Sequence, residues 1–236
     1  MARNDDVLAA EFERWNGIQR LIGAMGHSHL DVRVACAVFL AQLAKSTRWH
    51  DAIALGKGYR VLVEKLQSSE EREQLSALVT LRVLMQQVDS NVSDFSRAGG
   101  FAPLFRLIRG QIPSSTKVLG QALEVLRLSA ANRTVAIEIK SAHFEEDVLK
   151  HLSHANETVQ DKSLAAIEAM VEDEASREFI KKNGKVTSPS LPPSLSVSID
   201  VHSFLPQALG TLTAFVDLSH SADHKDRARA LTEQLK

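Results

Sequence analysis

Apolar residues along this chain recur at intervals of three and four. One short segment reads Ile18, Leu21, Ile22 and Met25; others read Val61, Leu62 and Leu66, then Leu104, Phe105 and Ile108, then Val148, Leu149 and Leu152. Each is followed by a polar turn: His27-Ser28-His29, Ser68-Ser69-Glu70, Gln111 to Ser115, or Ser153 to Asn156. Each turn leads into a longer segment rich in Ala and Leu. There the apolar positions run Val34, Ala37, Val38 and Ala41; Leu75, Leu78, Val79 and Val83; Val118, Ala122 and Val125; and Val159, Ser163, Ala166 and Met170. This spacing gathers one face of a helix, so short and long helices are predicted. A third, shorter helix is expected at 49–55, 92–98, 134–140 and 176–182. Ser90 and Asn156 are cap-type residues at helix starts. Period-two alternation is never sustained, so no strand is predicted and the chain reads as all-α.

The pattern repeats. Junctions Asn16-Gly17-Ile18, Lys57-Gly58-Tyr59, Gly99-Gly100-Phe101, Ala142-His143-Phe144 and Asn183-Gly184-Lys185 place their central residues at 17, 58, 100, 143 and 184. The intervals are 41, 42, 43 and 41 residues. Glycine at the junction suits a helix C-cap, where the backbone takes positive φ. His143 stands where the others have Gly, at a local conformational cost.

A unit of two or three helices at this period is the signature of an armadillo or HEAT solenoid. Arg97-Ala98-Gly99-Gly100-Phe101-Ala102-Pro103-Leu104 resembles the armadillo pattern of a helix ending in Ala-Gly-Gly, then an apolar residue and Pro-Leu. Phe39-Leu40-Ala41-Gln42-Leu43-Ala44 and Thr80-Leu81-Arg82-Val83-Leu84 resemble the end of that family's third helix. The resemblance covers residues 16–183 and, more weakly, a C-terminal unit. It implies an all-α, right-handed superhelical solenoid of about four to five armadillo-like repeats, with capping helices. The expected organisation is a single domain over 1–236. Residues 1–15 form an N-terminal cap helix with Val7, Leu8, Phe12 and Trp15 on one face. Four repeats fill 16–183, a Pro/Ser-rich loop spans 187–198, and C-terminal helices fill 199–236. In the loop, Pro189, Pro192 and Pro193 break helix; helical patterning resumes through Val201, Leu205, Leu209, Leu212 and Val216, and a last helix is expected over 221–235.

Composition narrows the functional classes. The 28 Lys and Arg nearly balance the 29 Asp and Glu, so no basic field exists to hold nucleic acid or an anionic membrane. Aromatic residues make up 5%, too few for a base-stacking platform. One cysteine, Cys36, excludes a disulfide scaffold and a cysteine-based zinc finger. No secretory signal, myristoylation signal or membrane-spanning stretch is read, so an intracellular, cytoplasmic setting is expected, with the nucleus equally open. The triplets Asn91-Val-Ser93, Asn132-Arg-Thr134 and Asn156-Glu-Thr158 are then chance occurrences of the glycosylation pattern.

Catalytic constellations are absent from the sequence. There is no Gly-rich phosphate loop, no HExxH and no G-x-S-x-G. His27, His29 and Asp31 crowd one turn, and His220 and His224 are four apart; a Zn or Ni site is conceivable at either, but no full ligand set is obviously supplied. These are read as turn histidines. Cys36, among Val34, Ala35 and Ala37, reads as a buried inert thiol. The acid runs Glu70-Glu71-Arg72-Glu73, Glu145-Glu146-Asp147 and Glu172-Asp173-Glu174 read as solvated helix starts. No cofactor, metal or catalytic residue is assigned.

What remains is the concave face of the solenoid, lined by the long helices. Aligning the repeats brings Gln42, Val83, Val125 and Ala169 into register, with Val38, Val79, Gln121 and Ala165 one turn earlier. In peptide-binding armadillo proteins of the import and catenin type the resemblance implies an Asn ladder at the first set and, in import receptors, Trp at the second. Neither ladder is present here, which argues against capture of an extended basic peptide. The candidate partner-binding residues are Gln42, Val79, Arg82, Val83, Gln121, Glu124, Val125 and Glu168, with Arg127 and Glu172 adding mixed charge. Such a face suits a folded protein or an amphipathic helix; in the competing reading the valines belong to the core. The expected function is a non-catalytic protein–protein interaction adaptor, without nucleic acid or membrane insertion. An armadillo-type Hsp70 nucleotide-exchange co-chaperone and a tubulin-binding HEAT-like domain are alternatives from other classes.

Overall fold

A computed structural model describes residues 2–132, 135, 145–171 and 222–235, and among the described residues there is no strand. The helices are α1 (Ala2–Arg14), α2 (Gly17–Ala24), α3 (Leu30–Leu43), α4 (His50–Leu55), α5 (Gly58–Lys65), α6 (Glu71–Gln87), α7 (Ser90–Arg97), α8 (Phe101–Ile108), α9 (Thr116–Ala130), α10 (Glu145–Lys150), α11 (Glu157–Val171) and α12 (Ala222–Leu235). Single turns of 3-10 helix, Thr47–Trp49 and His151–Ser153, precede α4 and follow α10. The helices predicted over 134–140 and 176–182, the 187–198 loop, the resumed pattern over 201–216, His143 and His220 lie outside the described residues. The chain divides into two compact units, Met1–Gln121 and Ala122–Lys236.

In the first unit, short, short and long helices alternate as the periodicity predicts. Leu40, Ile53, Leu62, Leu66, Leu78, Leu81, Leu84, Phe95 and Leu104 are fully buried. Each such side chain contributes about 1.5–3 kcal/mol by leaving water.

The junctions work differently from the expectation. The residues with positive φ are Asn16 (51°), Lys57 (61°) and Gly99 (74°), one position before the recurring glycine. Gly17, Gly58 and Gly100 are needed for space. A Cβ on Gly17 would run into the Phe12 ring, and one on Gly100 into the Phe95 ring. A Cβ on Gly58 would lie 2.6 Å from Ile53 Cγ2 and 2.8 Å from the Ile53 carbonyl oxygen. Each glycine therefore lets the apolar residue five positions earlier fold back over the helix start.

Polar side chains close three of the turns in the same way. His27 Nδ1, Ser68 Oγ and His154 Nδ1 each accept the backbone N–H two residues on, at 3.1, 3.1 and 3.0 Å. Six residues after each of them, a long donor reaches back to the turn. Arg33 Nη1 donates to the His27 carbonyl at 2.9 Å, Gln74 Nε2 to that of Ser68 at 2.7 Å, and Gln160 Nε2 to that of His154 at 2.7 Å. Asn156 caps α11 by accepting the Val159 N–H at 3.3 Å. Ser90 is the first residue of α7, with Asp89 in the cap position and no side-chain cap bond.

A second polar tie joins successive repeats. His50 and Asn91, 41 positions apart, are both buried. His50 Nε2 donates to the Ala44 carbonyl at 2.8 Å, just beyond the end of α3. Asn91 Nδ2 donates to the Leu84 carbonyl on α6 at 2.7 Å and to His50 Nδ1 at 2.9 Å. With both of its protons engaged, Asn91 is closed to glycosylation in the folded chain.

One acidic run departs from the solvated reading. Glu70 and Glu71 are exposed, but Glu73 is buried. Its carboxylate accepts from Arg33 Nε at 2.5 Å and Ser68 Oγ at 2.5 Å, and pairs with Lys65 Nζ at 3.0 Å. Burial alone would raise its pKa; the bonds from Arg33, Ser68 and Lys65 outweigh burial and hold it at about 2.

In the second unit, Val148, Leu152, Val159, Leu164, Ile167 and Met170 are buried between α10 and α11 and around them. α12 packs against α11 through Ala228 and a polar clasp. Arg227 grips Glu168 with two bonds, Nε to Oε1 at 3.0 Å and Nη2 to Oε2 at 2.9 Å, and also donates to Asp161. The Glu168 and Asp161 bonds push the Arg227 guanidinium pKa further up despite its partial burial.

Candidate functional site

The long helices bring some of the candidate residues to the surface and send others inward. On α3, Gln42 is exposed, and Val38, one turn earlier, is 48% exposed. On α6, Val79 and Arg82 are half-buried and Gln86 is exposed, a stripe at i, i+3 and i+7. Arg82 Nη1 donates to Gln86 Oε1 at 3.2 Å. Gln121, on α9, is half-buried.

Val83 and Val125 lie in the core, 8% and 0% exposed. Four positions at 100° each leave Val83 only about 40° around α6 from Val79, and that small step takes it from the half-buried border into the core. Val79 is therefore accessible where Val83 is not.

In the second unit, Glu124 is half-buried and bound by Arg127, Nη2 to Oε1 at 2.8 Å. The pair raises the Arg127 pKa against the opposing effect of partial burial. Glu168 is held by Arg227, and the register residues Ala165 and Ala169 are half-buried. Glu172 lies outside the described residues.

Four buried polar atoms of the first unit lack a hydrogen-bond partner: Tyr59 Oη, Gln74 Oε1, Arg82 Nε and Gln121 Oε1. Arg82 Nε is a donor and Gln121 Oε1 an acceptor, and both sit on long helices. Unmade bonds of this kind are costly, about 1–3 kcal/mol each.

The described chemistry-bearing residues serve the fold. His27 and His154 close turns, His29 stacks on His27 with ring centroids 5.3 Å apart, and His50 is enclosed between Ala44 and Asn91. Cys36 is half-buried, and burial raises its thiol pKa, away from the reactive thiolate. Among the described residues, no group of three or more His, Cys, Asp or Glu is placed to hold a metal.

The helix order and the repeating junctions have counterparts among solved structures. A designed armadillo repeat protein solved in complex with a (KR)4 peptide superposes with a TM-score of 0.76 at 14% identity, over 96% of this chain and 85% of that one. Another designed armadillo repeat protein gives a TM-score of 0.71 at 16% identity, with the same coverage. The armadillo-repeats-only protein of Plasmodium falciparum gives 0.66 at 15% identity, over 99% of this chain and 98% of that one. The fold is the armadillo-repeat solenoid. No family model and no curated protein matches the sequence. In armadillo terms, α3, α6, α9 and α11 are the long third helices of successive repeats, and α2, α5, α8 and α10 the second helices. Among the described residues, no helix of this armadillo array is long and apolar enough to cross a membrane.

The polar residues that organise the repeats were not singled out from sequence, yet they carry a signal. Arg33, Gln74 and Gln160 stand six residues after His27, Ser68 and His154, at intervals that match the repeat.

Proposed function

We propose that this chain is a non-catalytic binding scaffold that takes a partner protein, or a helix of one, on the exposed face of its long helices. The observation that carries the reading is the face shared by α3 and α6. It offers Val38 and Val79 as apolar contacts at equivalent positions, flanked by Gln42, Arg82 and Gln86. Apolar anchors within a polar border suit protein recognition. The face lacks the Asn ladder of extended-peptide receptors, which favours a helix or folded surface over an extended chain.

The test is affinity capture from native lysate with the wild-type chain and with a Val38→Asp, Arg82→Glu variant of unchanged helical content. Both altered residues reach the surface, so the fold is retained. Loss of partners with the variant is expected. Equal retention by both baits would overturn the assignment of this face.

A further inference from the structure

All the exposed large apolar residues among the described ones fall between positions 7 and 55. Three lie on α3: Val32 at 37%, Val38 at 48% and Phe39 at 47% exposed. Val38 belongs to the face described above. Val32 and Phe39 belong to a separate ridge that also carries exposed Ala35 and half-buried Cys36. These four are at i, i+3, i+4 and i+7, one stripe of a helix.

The later repeats show what that stripe normally does. Its counterparts on α6 are Glu73, Ser76, Ala77 and Thr80, and all four are buried. Thr80 Oγ1 donates to the Ala37 carbonyl of α3 at 3.0 Å, so the stripe of α6 is covered by the preceding long helix. On α9, Val118, Leu119 and Ala122 are likewise buried. The ridge of α3 is thus half of a helix–helix joint whose other half no described residue supplies. Among the described side chains of α1, Phe12 reaches its edge and meets Phe39 edge-on with centroids 6.2 Å apart.

We propose that the ridge is filled by a second copy of this chain, α3 against α3, in a two-fold dimer. A two-fold joint needs a self-complementary surface. Ala35 is small enough for two helices to cross there, and Val32 and Phe39 flank it on either side, so that Phe39 of one copy meets Val32 of the other. Self-pairing also requires that no uncompensated like charges meet. The one charge on the exposed arc of α3 is Asp31, already bound by Arg72 at 2.7 Å. On α1, Glu11 is paired with Arg14, and Glu13 with Arg48. Val32, Ala35, Cys36 and Phe39 carry no charge, so an identical ridge finds an apolar match. The joint continues the long-helix packing already present between α3 and α6.

Sedimentation velocity over a concentration series, with Ala35→Arg as the variant, tests this. Ala35 is exposed and Arg is a good helix former, so the variant folds; circular dichroism verifies it. The wild-type chain should reach a plateau at twice the monomer mass, and the variant should remain monomeric at the same concentrations. A wild-type chain that stays monomeric would overturn the proposal. So would a dimer unaffected by Ala35→Arg, or a mass that keeps growing with concentration, which marks head-to-tail contact. The Val38→Asp, Arg82→Glu variant should still dimerise, which separates this joint from the partner-binding face.

Discussion

The ring of Phe95 fills the space that a side chain on Gly100 would occupy. Phe95 closes α7 over the first turn of α8, and it also meets Phe101 edge-on at 5.2 Å. The neighbouring Gly99 has nothing within 4 Å of its absent Cβ but takes φ of 74°. Adjacent glycines therefore serve two distinct physical ends. Gly100→Ala should cost roughly 1–3 kcal/mol through overpacking, and trimming the ring with Phe95→Leu should recover part of that loss in a double-mutant cycle. Gly99→Asn should be nearly neutral, because Asn tolerates the left-handed region and Asn16 already occupies it two repeats earlier. Urea unfolding of the four variants measures both effects.

The Glu73 carboxylate links acid to stability. Its pKa falls from the ordinary glutamate value of 4.5 when unfolded to about 2 when folded. A depressed carboxylate stabilises the fold above its unfolded pKa, and that contribution is lost as pH drops through the folded one. The window is therefore pH 4.5 down to about 2, with a total of about 3 kcal/mol at stake. Glu73→Gln should remove this pH dependence and leave Arg33 and Lys65 without their counter-charge, lowering neutral-pH stability by about 3 kcal/mol. Denaturant midpoints between pH 7 and pH 2 for both proteins check it.

Removing the buried amide of Asn91 should be equally visible. Asn91→Ala strips the Leu84 carbonyl and His50 Nδ1 of their donor at once, a loss of about 2–3 kcal/mol for two buried acceptors. Because His50 and Asn91 belong to successive repeats, amide exchange should quicken in both α4 and α7.

The Arg227 clasp predicts a local effect. Arg227→Ala should speed hydrogen exchange across 222–235 while leaving α3 and α6 protected. Arg229→Ala is the control, since Arg229 pairs with Asp226 of its own helix and should change nothing at the clasp.

Much of the fold was legible because two periods coincide: the helical spacing of apolar residues and the return of the junction near every 42nd residue. The reason for each junction glycine was not legible. A positive φ and a lack of room both select Gly, and only geometry separates them. Glu73 was misplaced for a similar reason: its partners Arg33 and Lys65 are far off in sequence, and acidic helix starts are usually wet. For the candidate site, the long helices were correctly located, but Val79 and Val83 are apolar alike and differ only in phase. Nothing in a single sequence tells which one the neighbouring helix covers.

The Asp161–Glu168–Arg227 clasp bears on how the array chooses its neighbours. By repeat register, Asp161 and Glu168 occupy the positions held by Val34 and Ala41 on the first long helix. An ordinary apolar repeat laid on α11 would strand two carboxylates, at a cost of several kcal/mol. A helix bearing a correctly placed guanidinium satisfies both. α11 is therefore addressed by charge, and this end of the solenoid discriminates among would-be successors that an all-aliphatic seam would accept alike.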